Sequence, residues 1–97
     1  MTTITRKNLT QDIARKNGLD PRDVQLVLKE VMDYITETLK AGDRLEFRGF
    51  GVFEVVRRKE KVGRNPKNPE IPIPIPEHNA VKFFPGKKMK ELIAKKR

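Results

Sequence analysis

A chain of 97 residues with no cysteine, a single histidine and a net charge of +9 is narrowly bounded before any motif is read. Disulfides and thiolate metal sites are excluded, and His78 has no carboxylates at ligand spacing, so neither a metal nor a cofactor is expected. No apolar run approaches the roughly 18 residues of a membrane span and the polar N-terminus has no signal-peptide core, so a soluble cytoplasmic protein is expected.

With no Pro/Gly/Ser-rich linker between periodic regions, residues 1–97 are expected to form one domain. Thr5 is the expected N-cap of a first helix, with Ile4 and Leu9 as a hydrophobic staple. Leu9, Ile13 and Ala14 follow at helical spacing, and Gly18 supplies a left-handed stop. Asp20 then caps a second helix, Pro21 takes its first position, and Asp23 suits the positive helix end. Val24, Val27, Leu28, Val31, Ile35 and Leu39 form its apolar stripe, closed by Gly42. Leu26, Met32 and Tyr34 lie off that stripe. They are either scattered surface residues or a second buried face against a partner subunit. A helical base over 4–42 is the expectation.

After Gly42 the apolar period changes to two. Leu45 and Phe47 alternate with charged residues, Gly49-Phe50-Gly51 reverses the chain, and Phe53 and Val55 resume the alternation as a second strand. That strand loses its apolar face after Val56 and leaves the core. Ala80 to Phe84 returns to the core as the rest of the third strand. Sheet and arm together should occupy 44–84, with the arm at about 57–77, and a short C-terminal helix should follow over 86–96 with Met89, Leu92 and Ile93 on one side. The class is α+β: a helical hairpin base, a three-stranded antiparallel sheet extended into a β-ribbon arm, and the short helix. With a projecting arm the compact part falls to about 70–80 residues, a size that usually needs a staple; oligomerisation is the one left.

The charge is placed unevenly. Residues 1–51 carry a net +1 and residues 52–97 a net +8. Such asymmetry suggests a polyanionic partner, the alternative being a merely solubilising surface. The arm carries Arg57, Arg58, Lys59, Lys61, Arg64 and Lys67. Ile71 to Pro76 returns from its tip with a proline at every second place. In an antiparallel ladder successive N–H groups point to opposite edges, so Pro72, Pro74 and Pro76 share one edge while Ile71, Ile73 and Ile75 keep their donors on the other. The repeat is thus compatible with a paired ribbon, and its open edge is blocked against aggregation. The alternative is a free polyproline segment, an adaptor for protein partners.

Arg and Asn donors can read the acceptors of a minor groove, and a rigid apolar ring can wedge into a base step. Arg64, Asn65 and Pro66 supply both capacities, and Arg57, Arg58, Lys59, Lys61 and Lys67 are expected to neutralise phosphates along the way. Lys87, Lys88 and Lys90 stand in the first turn of the last helix, where the dipole disfavours cations; a row of phosphates is the reason to place them there. Lys95, Lys96 and Arg97 at its other end suit the dipole.

In this ordered combination the chain resembles the bacterial HU and integration host factor proteins. The resemblance rests on the helical hairpin, Gly49-Phe50-Gly51-Val52-Phe53, Gly63-Arg64-Asn65-Pro66, and Phe83-Phe84-Pro85-Gly86-Lys87-Lys88-Met89-Lys90. It implies an intertwined homodimer whose arms embrace double-stranded DNA in the bacterial nucleoid, bending and compacting it with little sequence preference. Pro66 matches the intercalating proline of that family, a wedge mechanism taken over from the family itself. Arg58, Lys61 and Arg64 match the arm cations, Asn65 belongs to the tip, and Lys87, Lys88 and Lys90 match the basic body. Phe47, Phe50, Phe53 and Phe83 match the aromatic dimer core. One departure stands out: family arms turn back through a Thr-Gly element, where this chain has Lys67-Asn68-Pro69-Glu70. A sequence-specific bender of the integration host factor type is the alternative. An enzyme is not expected, since no phosphate-binding Gly-rich loop or evident carboxylate pair is present.

Overall fold

A computed structural model describes residues 1–95 and orders the chain as α1 (Arg6–Asn17), α2 (Pro21–Lys40), β1 (Leu45–Phe47), β2 (Gly51–Arg58), β3 (Lys61–Asn65), β4 (Asn68–Ile75), β5 (His78–Pro85) and α3 (Lys87–Ala94). Lys96 and Arg97, and with them the expected end of the last helix, lie outside the described residues. Two compact units result, Met1–Glu37 and Thr38–Arg97.

In the first unit, local chemistry sets both helix boundaries. Thr5 Oγ1 accepts the Asn8 N–H at 3.2 Å while Asn8 Oδ1 accepts the Thr5 N–H at 3.0 Å. This reciprocal capping box was not foreseen, because asparagine replaces the usual Glu or Gln at the third helical position. Gly18 ends α1 at φ 62°, a conformation that costs glycine no Cβ clash, and the Leu19 N–H returns to the Ala14 carbonyl at 2.9 Å. Asp20 begins α2, its Oδ1 accepting the Arg22 N–H at 2.9 Å. At the far end of α2, whose last residues belong to the second unit, the Asp43 N–H reaches the Thr38 carbonyl at 3.1 Å and the Gly42 N–H the Leu39 carbonyl at 3.0 Å, the paired bonds of a Schellman stop.

The apolar stripe of α2 divides differently from expectation. Val24 and Leu39 are buried and Leu28 and Ile35 half-buried, but Val27 and Val31 are exposed together with Leu26, Met32 and Tyr34. A helix of 12 residues spans about 18 Å and one of 20 about 30 Å, so α1 cannot cover the whole of α2. Ile13, Leu19, Val24, Val27 and Leu28 line an open apolar groove of about 350 Å³ in this unit. No helix among the described residues is long and apolar enough to cross a membrane.

The second unit holds a sheet of order β1-β2-β5 and a separate two-stranded ribbon of β3 and β4, all antiparallel. Gly49 at φ 81° takes the third position of the β1–β2 reversal, closed by the Phe50 N–H on the Phe47 carbonyl at 2.8 Å. The third strand was expected to run on from the arm to Phe84; β5 instead begins at His78 opposite Arg58, and at its other end Pro85 still pairs with Gly51. Where one continuous ribbon was expected, the ladder lapses at 59–60 and 76–77 and resumes at Lys61↔Ile75. Each strand skips two residues, so the register carries through the gap. Pro76, which has no N–H to donate, stands in it.

Candidate nucleic-acid interface

The arm is built by the pairing that the prolines permit. Pro72 lies opposite Arg64 and Pro74 opposite Val62, alternating with Gly63↔Ile73 and Lys61↔Ile75. Pro72 and Pro74 fall on the non-bonded pairs, leaving Ile73 and Ile75 to make the ladder bonds. The Ile-Pro repeat is therefore a paired strand, and not a free polyproline segment.

The tip is an Asn65-Pro66-Lys67-Asn68 turn with Asn65↔Asn68 as its closing pair. Asn65 Oδ1 accepts the Lys67 N–H at 2.9 Å, bracketing Pro66 at the apex. No residue other than glycine has positive φ among the described residues, so this is not one of the primed turns that match hairpin twist. The mismatch is absorbed at once: the register shifts between Arg64 and Asn65, leaving Pro69, Glu70 and Ile71 unmatched on β4. The departure from the Thr-Gly element thus produces an irregular returning strand beyond a regular Pro66 apex.

Strand alternation divides the basic residues between two faces. On the sheet, Arg57 shares the face of Phe53, Val55, Val81 and Phe83, while Arg58 shares the other with His78, Lys82, Val52 and Phe84. On the ribbon, Lys61 lies on the face of Gly63, Ile73 and Ile75, and Arg64 on that of Val62, Pro72 and Pro74. Lys59 falls in the gap between ladders, and Lys67 is the second central residue of the tip turn. β4 carries no Lys or Arg, so the cations of the arm ride on its outgoing side. Among the described residues Arg57 alone of the arm cations is engaged: its Nε donates to Glu77 Oε1 at 2.7 Å and its Nη1 to Asn79 Oδ1 at 3.1 Å.

Lys87, Lys88 and Lys90 are exposed in the first turn of α3, whose N-cap Gly86 offers no side-chain bond and whose first turn holds no acid. The Gly86 N–H donates to the Phe50 carbonyl at 2.8 Å, tying this basic turn to the β1–β2 reversal. Lys82 was missed by sequence reasoning. Its Nζ stands 5.0 Å from the centroid of the Phe84 ring, on the same face as Arg58. Two-residue periodicity with Phe84 was the signal that could have found it.

Phe47, Phe50, Phe53 and Phe83 close a ring of aromatic contacts. Centroids are 6.2 Å apart for Phe47–Phe50, 5.4 Å for Phe50–Phe83, 4.8 Å for Phe53–Phe83 and 6.3 Å for Phe47–Phe53. Phe50 nonetheless remains 47% exposed.

The family model described as "Bacterial DNA-binding protein" matches residues 4–94. The chain belongs to the bacterial DNA-binding protein family. This family member is 53% identical over 93 residues to a probable DNA-binding protein HU of Chlamydia trachomatis, covering 96% of this chain and 93% of that one. It is 37% identical over 91 residues to the integration host factor subunit beta of Alkalilimnicola ehrlichii, covering 93% and 90% respectively. Among solved structures, an Anabaena HU–DNA cocrystal structure is similar with a TM-score of 0.80 and 32% identity, over 95% of this chain and 100% of that one. As a member of the bacterial DNA-binding protein family with relatives named HU and integration host factor, the chain is an architectural DNA-binding protein.

Proposed function

We propose that this chain acts as a homodimer that bends and compacts double-stranded DNA in the bacterial nucleoid, without catalysis and with little sequence preference. The observation that carries the reading is the ribbon tip, where Asn65 brackets Pro66 at the apex of an arm whose cations lie on the outgoing side. Pro66 is the wedge. Its ring has no rotamer freedom to lose, and the cost of unstacking a base step, a few kcal/mol, is offset by the additional contacts a bent duplex allows. Arg58, Lys59, Lys61, Arg64, Asn65 and Lys67 contact the groove and its phosphates, and Lys87, Lys88 and Lys90 hold the duplex at the body. Residues 1–97 form one working domain when two copies combine.

The dimer reading is supported by apolar surface that one chain leaves open. Val27 is 60% and Tyr34 71% exposed on α2, and the Phe47, Phe50, Phe53 and Phe83 ring is only partly covered. Such surface is what a second copy would bury. Greater identity to the HU relative than to the integration host factor subunit favours binding with little sequence preference over specific bending.

Pro66→Ala is the test. The variant should retain dimer and helical content yet lose most of the bending seen by energy transfer between duplex ends. Unchanged bending would remove Pro66 from the wedge role.

A further inference from the structure

The root of the arm contains a device that the DNA-contact reading does not use. β2 and β5 end their pairing at Arg58↔His78, and the ribbon resumes only at Lys61↔Ile75. Backbone bonds therefore lapse where the arm leaves the sheet. A two-stranded ribbon attached through such a gap has little to set its angle.

Side-chain bonds fill the same place. Arg57 is the next-to-last paired residue of β2, and its guanidinium crosses to the opposite strand with two donors used. Nε meets Glu77 Oε1 at 2.7 Å, and Nη1 meets Asn79 Oδ1 at 3.1 Å. Asn79 is the direct cross-strand partner of Arg57, whereas Glu77 lies two residues nearer the tip, inside the gap. One planar fork thus joins the last rungs of the sheet to the segment that enters the arm, a geometry suited to guanidinium and poorly matched by an ammonium. Arg57 also points to the Phe53 and Phe83 face, opposite to Arg58 and Lys82.

We infer that Arg57, with Glu77 and Asn79, is a positioning clamp that sets the arm at its root and is not a phosphate contact. The inference rests on the DNA-bending function proposed above: an arm held at its root delivers Pro66 to a base step with less ordering cost than one that swings freely. Glu77, an acid that would repel a polyanion, has a place in a basic arm because it anchors Arg57.

The rival role is electrostatic. There Arg57 leaves Glu77 to neutralise a phosphate, and Glu77 merely competes with DNA. Arg57→Gln, Glu77→Gln and the exchange Arg57→Glu/Glu77→Arg separate the two. Binding to a linear duplex across a salt series, bending by energy transfer, and trypsin cleavage after Lys59 and Lys61 in the free protein are measured for each. The clamp predicts that both single variants leave the salt slope unchanged and lower the bent-to-unbent ratio by roughly two- to five-fold, the range of an exposed ion pair. Both should also be cut faster than the parent protein, and the exchange variant should recover bending and resistance together. The clamp is overturned if Arg57→Gln makes the slope shallower by about 0.9, the loss of one phosphate contact. It is equally overturned if Glu77→Gln tightens binding, or if the exchange fails to restore bending and resistance. Should the parent protein itself fail to bend DNA, the cleavage rates still judge the clamp, and the functional reading fails separately.

Discussion

Gly51 lies so close to the ring of Phe83 that a Cβ there would stand 2.6 Å from the ring and 2.7 Å from the Phe84 carbonyl oxygen. The residue is buried, and the backbone oxygen cannot move aside as a flexible side chain would. This contact lets β2 and β5 close over the aromatic ring while the β1–β2 reversal stays short. Gly51→Ala should therefore destabilise the protein by about 1–3 kcal/mol, the cost of overpacking a closed site. Urea denaturation followed by circular dichroism gives the value; a change within a few tenths of a kcal/mol would contradict the packing.

Lys87, Lys88 and Lys90 should show opposed effects on stability and binding. Their charges oppose the N-terminal dipole of α3, so Lys88→Gln should stabilise that helix by a few tenths of a kcal/mol. The same change should weaken DNA binding and make the salt slope shallower by about 0.9. Thermal melting and a salt series on one preparation test both signs.

Pro72 and Pro74 occupy the unbonded positions of the ribbon, so Pro72→Ala and Pro74→Ala add donors only to its open edge. DNA affinity at fixed salt should stay within roughly two-fold, since no charge changes. Self-association of the double variant should increase, because an unprotected strand edge invites pairing. Sedimentation velocity over a concentration series gives the answer.

Asp20 links the second helix to pH. Its carboxylate pairs with the Arg22 guanidinium at 2.9 Å, the larger effect, and accepts the Arg22 N–H at 2.9 Å, and these bonds hold its pKa below the ordinary aspartate value. A carboxyl with a lower pKa folded than unfolded contributes stability above the unfolded value, lost as pH falls through the folded one. Asp20→Asn keeps the cap acceptor but removes the titration. Its stability should thus fall less than that of the parent protein between neutral pH and the acid side of the carboxylate range, as measured by denaturant midpoints.

Much of the helical base was legible because its signals act over three or four residues. Thr5, Gly18, Asp20 and Gly42 stand where short-range bonds stop or start a helix, and the expected boundaries follow them. The Asn8 half of the capping box was missed because asparagine is an unusual partner for Thr5. The exposure of Val27 and Val31 was missed for another reason. Periodicity identifies an apolar stripe, but the length of the neighbouring helix decides how much of it is covered. Within the site, a tip near Asn65 and Pro66 was legible in the sequence, whereas the placing of Gly63 and Arg64 inside β3, Pro66 at the apex and the unmatched Pro69 to Ile71 segment required the register of two strands.

From the sequence alone came the charge asymmetry, the helix caps, the two-residue periodicity and the compatibility of the Ile-Pro repeat with a paired strand. Each depends on residue type and near neighbours. The tertiary structure alone decided that the ladder lapses beside Pro76. It also decided that Arg57 reaches Glu77, 20 residues along the chain. A side chain chooses among distant acceptors only once strand register has placed them, and that register depends on how two separated segments meet.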